Sequence, residues 1–302
     1  MIKRRLKSML PPALLSVWRK YRSRKERQRL RQLRADVINY LAHIPPPEIT
    51  AEQQAIMQYL KSHPSFPAFP YPFADNYKAG GRITVYRDRE KKMRYVLQDG
   101  KRLYFRNDWD EYNIKAGYVG LLAEQDTASP HRYETAGFHV CEGDTVVDAG
   151  VAEGNFALSV IEKVKKIYLF EADTAWIAAL EATFAPWREK VVIVNKYVSD
   201  KDTDNSITLD TFFASRRPDF IKADIEGAEP LLVAGATRLL SAPAPLKVVL
   251  CTYHAQNDAA TLRQMLSQRG FRTEFSEGYM LFAYDRYLAP PYLRRALIRA
   301  AK

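Results

Sequence analysis

The chain has 302 residues, 47% of them hydrophobic and 12% aromatic, enough to bury a substantial core and too apolar for a disordered or collagen-like polymer. Its net charge of +11 is unevenly spread: residues 1–34 hold 13 basic residues and a single acidic one, Glu26, while the remainder has 33 basic against 34 acidic residues. The two cysteines, Cys141 and Cys251, lack metal-ligand spacing, which argues for a reducing, cytoplasmic setting and against a zinc cluster, and no apolar run reaches the ~20 residues of a membrane span.

The basicity therefore belongs to an arm, residues 1–44. A cleaved signal peptide is not expected, because the short apolar run from Pro11 to Trp18 passes straight into Arg19, Lys20, Arg22 and Arg24. Leu14, Trp18 and Tyr21 fall at helical spacing, as do Leu30, Leu33, Val37 and Leu41, so the arm reads as a basic amphipathic helix. Its charge suits an anionic membrane surface, where each Lys or Arg adds ~1 kcal/mol, and so peripheral attachment at an inner membrane face. The competing reading is a helix packed on its own domain or on a neighbouring subunit. Nucleic acid ranks behind both, since no aromatic-interleaved basic surface accompanies the charge.

Residues 45–140 read as an accessory region. Pro45-Pro46-Pro47 ends the arm, a short helix fits Glu52 to Leu60, and Phe66 to Phe73 alternates prolines with aromatics as an irregular packed loop. Strand-like runs Met93 to Leu97 and Arg102 to Phe105 flank Asp99-Gly100, a hairpin signal because both turn positions tolerate positive φ. The polar stretch Glu124 to Tyr133 reads either as a cleft lining or as a plain connection.

Residues 141–287 change rhythm. Apolar runs at Thr145 to Asp148, Lys166 to Phe170, Val191 to Val194, Phe220 to Ala223 and Lys247 to Thr252 alternate with helical patterns at Phe156 to Lys163, Thr174 to Phe184, Glu229 to Leu240 and Asp258 to Arg269. Such alternation specifies a parallel sheet covered by helices. Arg272 to Glu277 and Tyr279 to Tyr284, divided by Gly278, predict a hairpin that adds an antiparallel strand at the sheet edge. Residues 288–302 form a basic tail whose Tyr292 to Lys302 segment has the spacing of a terminal helix.

Chemistry concentrates at the predicted carboxyl ends of the strands, where open α/β sheets bind ligands. The first strand ends Asp148-Ala149-Gly150 and runs through Val151-Ala152-Glu153-Gly154 into a helix, giving G-x-x-x-G where a dinucleotide loop has G-x-G-x-x-G. Asp148 would repel a diphosphate, so the loop suits a cationic or zwitterionic ligand with an amino group, such as S-adenosylmethionine. Glu171, about 20 residues on, is placed to accept both hydroxyls of a ribose. The fourth strand carries Lys222, Asp224, Glu226 and Glu229; the last two also suit the first turn of the following helix.

These residues resemble the FkbM family of S-adenosylmethionine-dependent methyltransferases: Asp148, Gly150 and Gly154 in the loop, Glu171 after the second strand, Leu209-Asp210 before the fourth, and Lys222-Ala223-Asp224-Ile225-Glu226-Gly227-Ala228-Glu229. The resemblance covers roughly residues 143–285. It implies an α/β class I methyltransferase fold, a Rossmann-like doubly wound sheet of seven strands with the last antiparallel. It also implies S-adenosylmethionine as cofactor, with Asp148, Gly150, Gly154, Glu171 and Asp200 binding it. The acceptor it implies is commonly a sugar oxygen in a polysaccharide, glycolipid or secondary metabolite. Asp224 and His254 are the expected catalytic residues. No metal is assigned, since Asp224 and Glu226 lack a clear third ligand. Two departures stand out: Val151-Ala152 replace the family's Gly-Ala-Asn continuation, and Cys251-Thr252-Tyr253-His254 replaces a Glu-h-His-like end to the fifth strand. The rivals are a nucleotide-dependent oxidoreductase, which needs a glycine-richer loop, and a non-catalytic membrane-associated scaffold with a degenerate methyltransferase fold.

Overall fold

A computed structural model describes residues 12–77 and 83–302, with side chains from residue 24 onward. The arm forms one helix, α1 (Pro12–Ala42), followed after Pro45-Pro46-Pro47 by α2 (Ala51–Ser62). A capping box starts α2: the Thr50 hydroxyl accepts from the Gln53 N–H while the Gln53 side chain accepts from the Thr50 N–H. Val37 and Leu41 of α1 meet Ile56 and Leu60 of α2 and, from the far end of the chain, Leu281 and Leu293, all buried. The last third of the arm is thus stapled to the body by apolar burial. The apolar set Leu14, Trp18 and Tyr21 has its side chains outside the described residues.

The accessory region builds a three-stranded antiparallel sheet from β1 (Tyr86–Asp88), β2 (Met93–Gln98) and β3 (Lys101–Phe105). The Asp99-Gly100 turn joins β2 to β3 with both residues at positive φ, +49° and +78°, as the hairpin signal predicts. The Pro-aromatic stretch is irregular, apart from a 3-10 turn at Pro72–Tyr77. A helix that the sequence reading missed, α3 (Glu111–Glu124), follows; the Asp110 carboxylate caps it by accepting from the Asn113 N–H.

The main sheet has seven strands: β4 (Thr145–Ala149), β5 (Lys166–Phe170), β6 (Val191–Val194), β9 (Phe220–Ala223), β10 (Lys247–Cys251), β11 (Arg272–Phe275) and β12 (Leu297–Ala301). A two-residue pair, β7 (Tyr197–Val198) and β8 (Ser206–Ile207), stands apart from it. Across the main sheet the order is β11-β12-β10-β9-β4-β5-β6. β4, β5, β6, β9 and β10 run parallel, and β12 runs antiparallel to both of its neighbours. The helices between the strands are α4 (Asn155–Val160), α5 (Thr174–Phe184), α6 (Leu209–Phe212), α7 (Glu229–Ala234), α8 (Thr237–Ser241) and α9 (Asp258–Ser267). Two buried apolar clusters sandwich the sheet; one contains Val146, Ile167 and Phe220, the other Val147, Tyr168 and Ile221, as the alternation of a strand requires. This is the class I methyltransferase sheet that the resemblance implies.

Its last strand is not where the sequence suggested. Tyr279 to Tyr284 forms no hairpin strand; Met280 makes an isolated bridge with Arg294, Phe282 packs on Tyr253 and His254, and the segment lines a cavity. The antiparallel strand is Leu297–Ala301, within the segment expected to be a helical tail. It lies between β10 and β11, where both of its edges are paired and Leu297, Ile298 and Ala300 are buried. Ladder bonds on two sides and burial of three apolar side chains outweigh the helical preference of an Ala- and Arg-rich segment.

Candidate active site

Asp148 and Lys222 occupy paired positions on the adjacent strands β4 and β9, so their side chains emerge together. Lys222 Nζ donates to Asp148 Oδ1 and to the Gly150 carbonyl, both at 2.8 Å. Both residues are buried. Burial raises the Asp148 pKa against the pull of Lys222, whereas for Lys222 the carboxylates of Asp148 and Asp224 overcome burial and keep it protonated. Asp148 Oδ2 is buried with no hydrogen-bond partner.

The loop after β4 turns sharply. Gly150 has φ +73°, and a Cβ there would lie 1.8 Å from the Asp224 carbonyl oxygen, so only glycine lets the ends of β4 and β9 touch. Gly154 has φ +86° and stands at the start of α4, where a Cβ would meet Phe184 and Leu180; its position serves helix packing and is not on the cavity wall. Glu171, at the end of β5, holds the loop with both oxygens: one accepts from the Ala152 N–H at 2.8 Å, the other from the Asp173 N–H at 2.7 Å. Asp200 is exposed, accepts from the Ser199 hydroxyl and does not line the cavity. Asp210, half of the Leu-Asp pair, caps α8 by accepting from the Arg238 and Leu239 N–H groups.

Asp224 is the hub. Tyr133 Oη donates to its Oδ2 at 3.1 Å and Tyr253 Oη to its Oδ1 at 3.3 Å. His131 Nε2 stands 3.6 Å from Oδ2 and His254 Nε2 3.4 Å from Oδ1. Burial opposes ionisation of Asp224, but His131, Lys222, His254 and the Tyr133 hydroxyl outweigh it and hold its pKa below the ordinary carboxylate value. Burial lowers the His131 pKa to about 4, so near neutral pH it carries no charge; its Nε2 lies 3.3 Å from Tyr253 Oη. His254 is opposite in behaviour. Burial disfavours its charge, yet Glu229 on one side and Asp224 on the other raise its pKa above 6.5. Glu229, fully buried at the start of α7, places Oε1 3.3 Å from His254 Nδ1 and uses the same oxygen to accept from the Ile225 N–H. The carboxylate behind the imidazole is therefore Glu229, while Glu226, at φ +57°, lines the cavity.

These groups face a cavity of about 720 Å3. Its floor is the Gly150 to Glu153 loop with Lys222, Asp224 and His254; its walls are Phe66 and Phe69, Glu124 and Tyr133, and Met280 to Tyr284. Glu26, Arg29 and Leu30 of α1 complete it, and Arg29 Nη2 donates to the Ala283 carbonyl. Burial raises Glu153 to a pKa of about 7 and, helped by the neighbouring Asp224 charge, Glu124 to about 8. With Lys222 committed to Asp148, the cavity wall holds a surplus of carboxyl groups at Glu124, Glu153, Asp224 and Glu226. That surplus fits the amino group and sulfonium of S-adenosylmethionine and disfavours a diphosphate.

Asp224 also belongs to two sets whose ligand-type atoms lie within 4.8 Å: His131, Asp224 and Cys251, and Asp224, Glu229 and His254. In the first, His131 Nε2 already approaches Tyr253 Oη at 3.3 Å and burial keeps the Cys251 thiol protonated. In the second, His254 meets its two carboxylates through opposite ring nitrogens. Tyr133 and Tyr253 hydrogen-bond Asp224, whereas His254 stands between Asp224 and Glu229 at ion-pair distances and its buried Nδ1 makes no hydrogen bond.

Of the residues expected from the sequence, Gly150, Asp224 and His254 line the cavity; Asp148 and Glu171 stand behind the Gly150 loop, Asp148 on Lys222 and Glu171 on the Ala152 N–H, and Gly154 and Asp200 also lie off the cavity wall. The structure adds His131, Tyr133, Tyr253, Glu124, Glu153 and Glu229. The polar stretch Glu124 to Tyr133 was the signal for three of these; its two ends, Glu124 and Tyr133, line the cavity, and the residues between them do not. Arg294, in the supposed tail, is buried and donates to the carbonyls of Tyr253 and His254, fixing the end of β10.

Sheet and site define a methyltransferase domain of class I. More narrowly, residues 168–273 match the family model for the methyltransferase FkbM domain, so the resemblance read from the motifs holds over that segment. Among solved structures, the methyltransferase FkbM of Methylobacillus flagellatus KT is similar at 19% identity and a TM-score of 0.44, the match covering 64% of this chain and 55% of that one. The precorrin-6y C5,15-methyltransferase of Geobacter metallireducens GS-15 is similar at 12% identity and a TM-score of 0.38, covering 54% and 84%. The chain thus spans little more than half of the first of these. Among curated proteins there is no match.

Proposed function

We propose that this protein is an S-adenosylmethionine-dependent methyltransferase acting on a hydroxyl of a carbohydrate-type acceptor. The observation that carries this reading is the Asp224–His254–Glu229 array on the floor of a carboxylate-rich cavity beside the Gly150 loop. S-adenosylmethionine, when bound, supplies an electrophilic methyl group. Asp148 and Glu171, which back the Gly150 loop, are the residues that would hold the amino group and the ribose. Asp224, kept ionised, accepts a hydrogen bond from the acceptor hydroxyl and orients it; His254, poised above its ordinary pKa by Glu229, takes the proton. The aromatic walls at Phe66, Phe69 and Phe282 exclude water and offer apolar faces to a sugar ring.

Incubation of the protein with methyl-tritiated S-adenosylmethionine and a panel of neutral oligosaccharides tests the reading. A base-stable ether label on sugar, lost in Asp224→Asn, is the expected result. Label found only as a base-labile ester or on an amine would overturn the hydroxyl assignment. The proposal also places the basic arm on an anionic surface. Arg24, Arg27 and Arg31 are exposed on α1, and their joint replacement by Glu should weaken co-sedimentation with anionic vesicles; unchanged co-sedimentation would refute the arm's role. Among the described residues no helix is long and apolar enough to cross a membrane.

A further inference from the structure

A second cavity, of about 730 Å3, lies along the edge of the main sheet between β11–β12 and the chain from Thr127 to Phe138. The register of β11 and β12 pairs Glu274 with Arg299 and Arg272 with Ala301, which places Arg272, Glu274 and Arg299 on one face of the sheet. Phe275, Ile298 and Ala300 turn the other way, into the core. Arg132 joins them from the opposite wall, and Thr127 and Thr135 add hydroxyl groups.

Three guanidinium groups therefore share one groove, and among the described residues none of them lies within 4 Å of a carboxylate. Arg299 is fixed in place: its Nε and Nη2 donate to the carbonyls of Tyr133 and Arg132. It is also under electrostatic pressure, since burial depresses its pKa and the Arg132 charge adds to that, with only Glu274 opposing. Like charges gathered in a half-buried groove are relieved by an anion that accepts from several forked donors at once, and phosphate matches that geometry. Glu274 and Glu277 on the same lining limit the net positive charge to about one unit, which suits a compact anionic group and disfavours a long polyanion such as nucleic acid.

We propose that this groove is a second binding site, distinct from the methyltransferase cavity, which takes a phosphate group through Arg132, Arg272 and Arg299. The site stands whether or not the methyl-transfer reading does, because none of its cations takes part in that chemistry. The phosphate belongs either to a small soluble ester or to a lipid headgroup, and the test separates the two.

Calorimetric titration of the full chain with inorganic pyrophosphate at low ionic strength is the first arm. Co-sedimentation with phosphatidylcholine vesicles with and without phosphatidic acid is the second. The Arg272 side chain is exposed and makes no hydrogen bond to the described residues, so Arg272→Ala should leave the thermal unfolding midpoint unchanged; Arg132→Ala is the second variant. Saturable pyrophosphate binding that weakens tenfold or more in Arg272→Ala supports a soluble ligand. Vesicle binding that requires both phosphatidic acid and Arg272, without pyrophosphate binding, supports a headgroup. Binding of neither probe by folded wild type, or equal binding by wild type and both variants, overturns the site.

Discussion

Asp224 and His254 stand 3.4 Å apart, yet their surroundings push their proton affinities in opposite directions, and the proposed roles rest on that contrast. Two tyrosine hydroxyls donate to Asp224 and stabilise its anion, which makes it a poor base and a good orienting acceptor. His254, raised by Glu229, is charged at mildly acidic pH and becomes a competent base only as pH rises. Asp224→Asn should lower methyl transfer by roughly 100-fold or more, the scale of a lost acid–base or orienting group, while cofactor affinity measured by calorimetry changes less than tenfold. Glu229→Gln removes the carboxylate that raises His254, so the acidic limb of the rate profile should move to lower pH; an unmoved limb would exclude His254 as the titrating base. That Asp224 and His254 meet at one cavity was legible in the sequence, because each follows a predicted strand. His131, Tyr133 and Tyr253 were not assigned there. Their meeting at one carboxylate depends on how the 124–133 connection folds over the sheet, and nothing local in the sequence encodes that.

Among the elements, the alternating strands and helices from Thr145 to Ser267 were readable because buried parallel strands are short apolar runs between amphipathic helices. The terminal strand was not. Leu297-Ile298-Arg299-Ala300-Ala301 carries no strand pattern of its own and becomes one by filling the gap between β10 and β11. Arg294 and Arg295, expected on a terminal helix, instead clamp the chain that leads into it: Arg294 on the end of β10 and Arg295 on the Gly278 carbonyl. Deletion of residues 288–302, harmless for a solvated tail, should abolish cooperative unfolding by circular dichroism, since β11 loses its partner and β10 loses an edge. The arm is the converse case. Leu41 is fully buried against α2 and the 281–293 segment, so Leu41→Ala should cost about 2–5 kcal/mol in denaturant unfolding. Because α1 also walls the cavity through Glu26, Arg29 and Leu30, loosening it should weaken acceptor turnover as well.

Over the whole molecule, the charge divides into a basic arm and an acid-lined interior cavity, and the second sets the pH behaviour. Glu153 and Glu124 bind protons in the folded state up to pH values of about 7 and 8, well above the 4.5 of the free side chain. A folded state that holds protons the unfolded chain has released loses stability as pH rises. His131, depressed to about 4, acts in the other direction, but only between about 4 and 6.5. Above pH 6.5 the two glutamates prevail, so the thermal midpoint of the ligand-free protein should fall between pH 6.5 and pH 8.5, and Glu124→Gln should flatten that fall. A cationic ligand reverses the argument, since it is held more tightly once these carboxyls ionise.

The most direct measurement is therefore a calorimetric titration of the folded wild-type protein with S-adenosylmethionine and with S-adenosylhomocysteine, which lacks the sulfonium charge, at pH 6 and pH 8. An acid-lined cofactor cavity predicts that both ligands bind, that the preference for the charged one grows at pH 8, and that Glu171→Ala weakens both by ~1–3 kcal/mol. Absence of binding by either ligand, with the protein shown to be folded, would contradict the methyltransferase account at its centre.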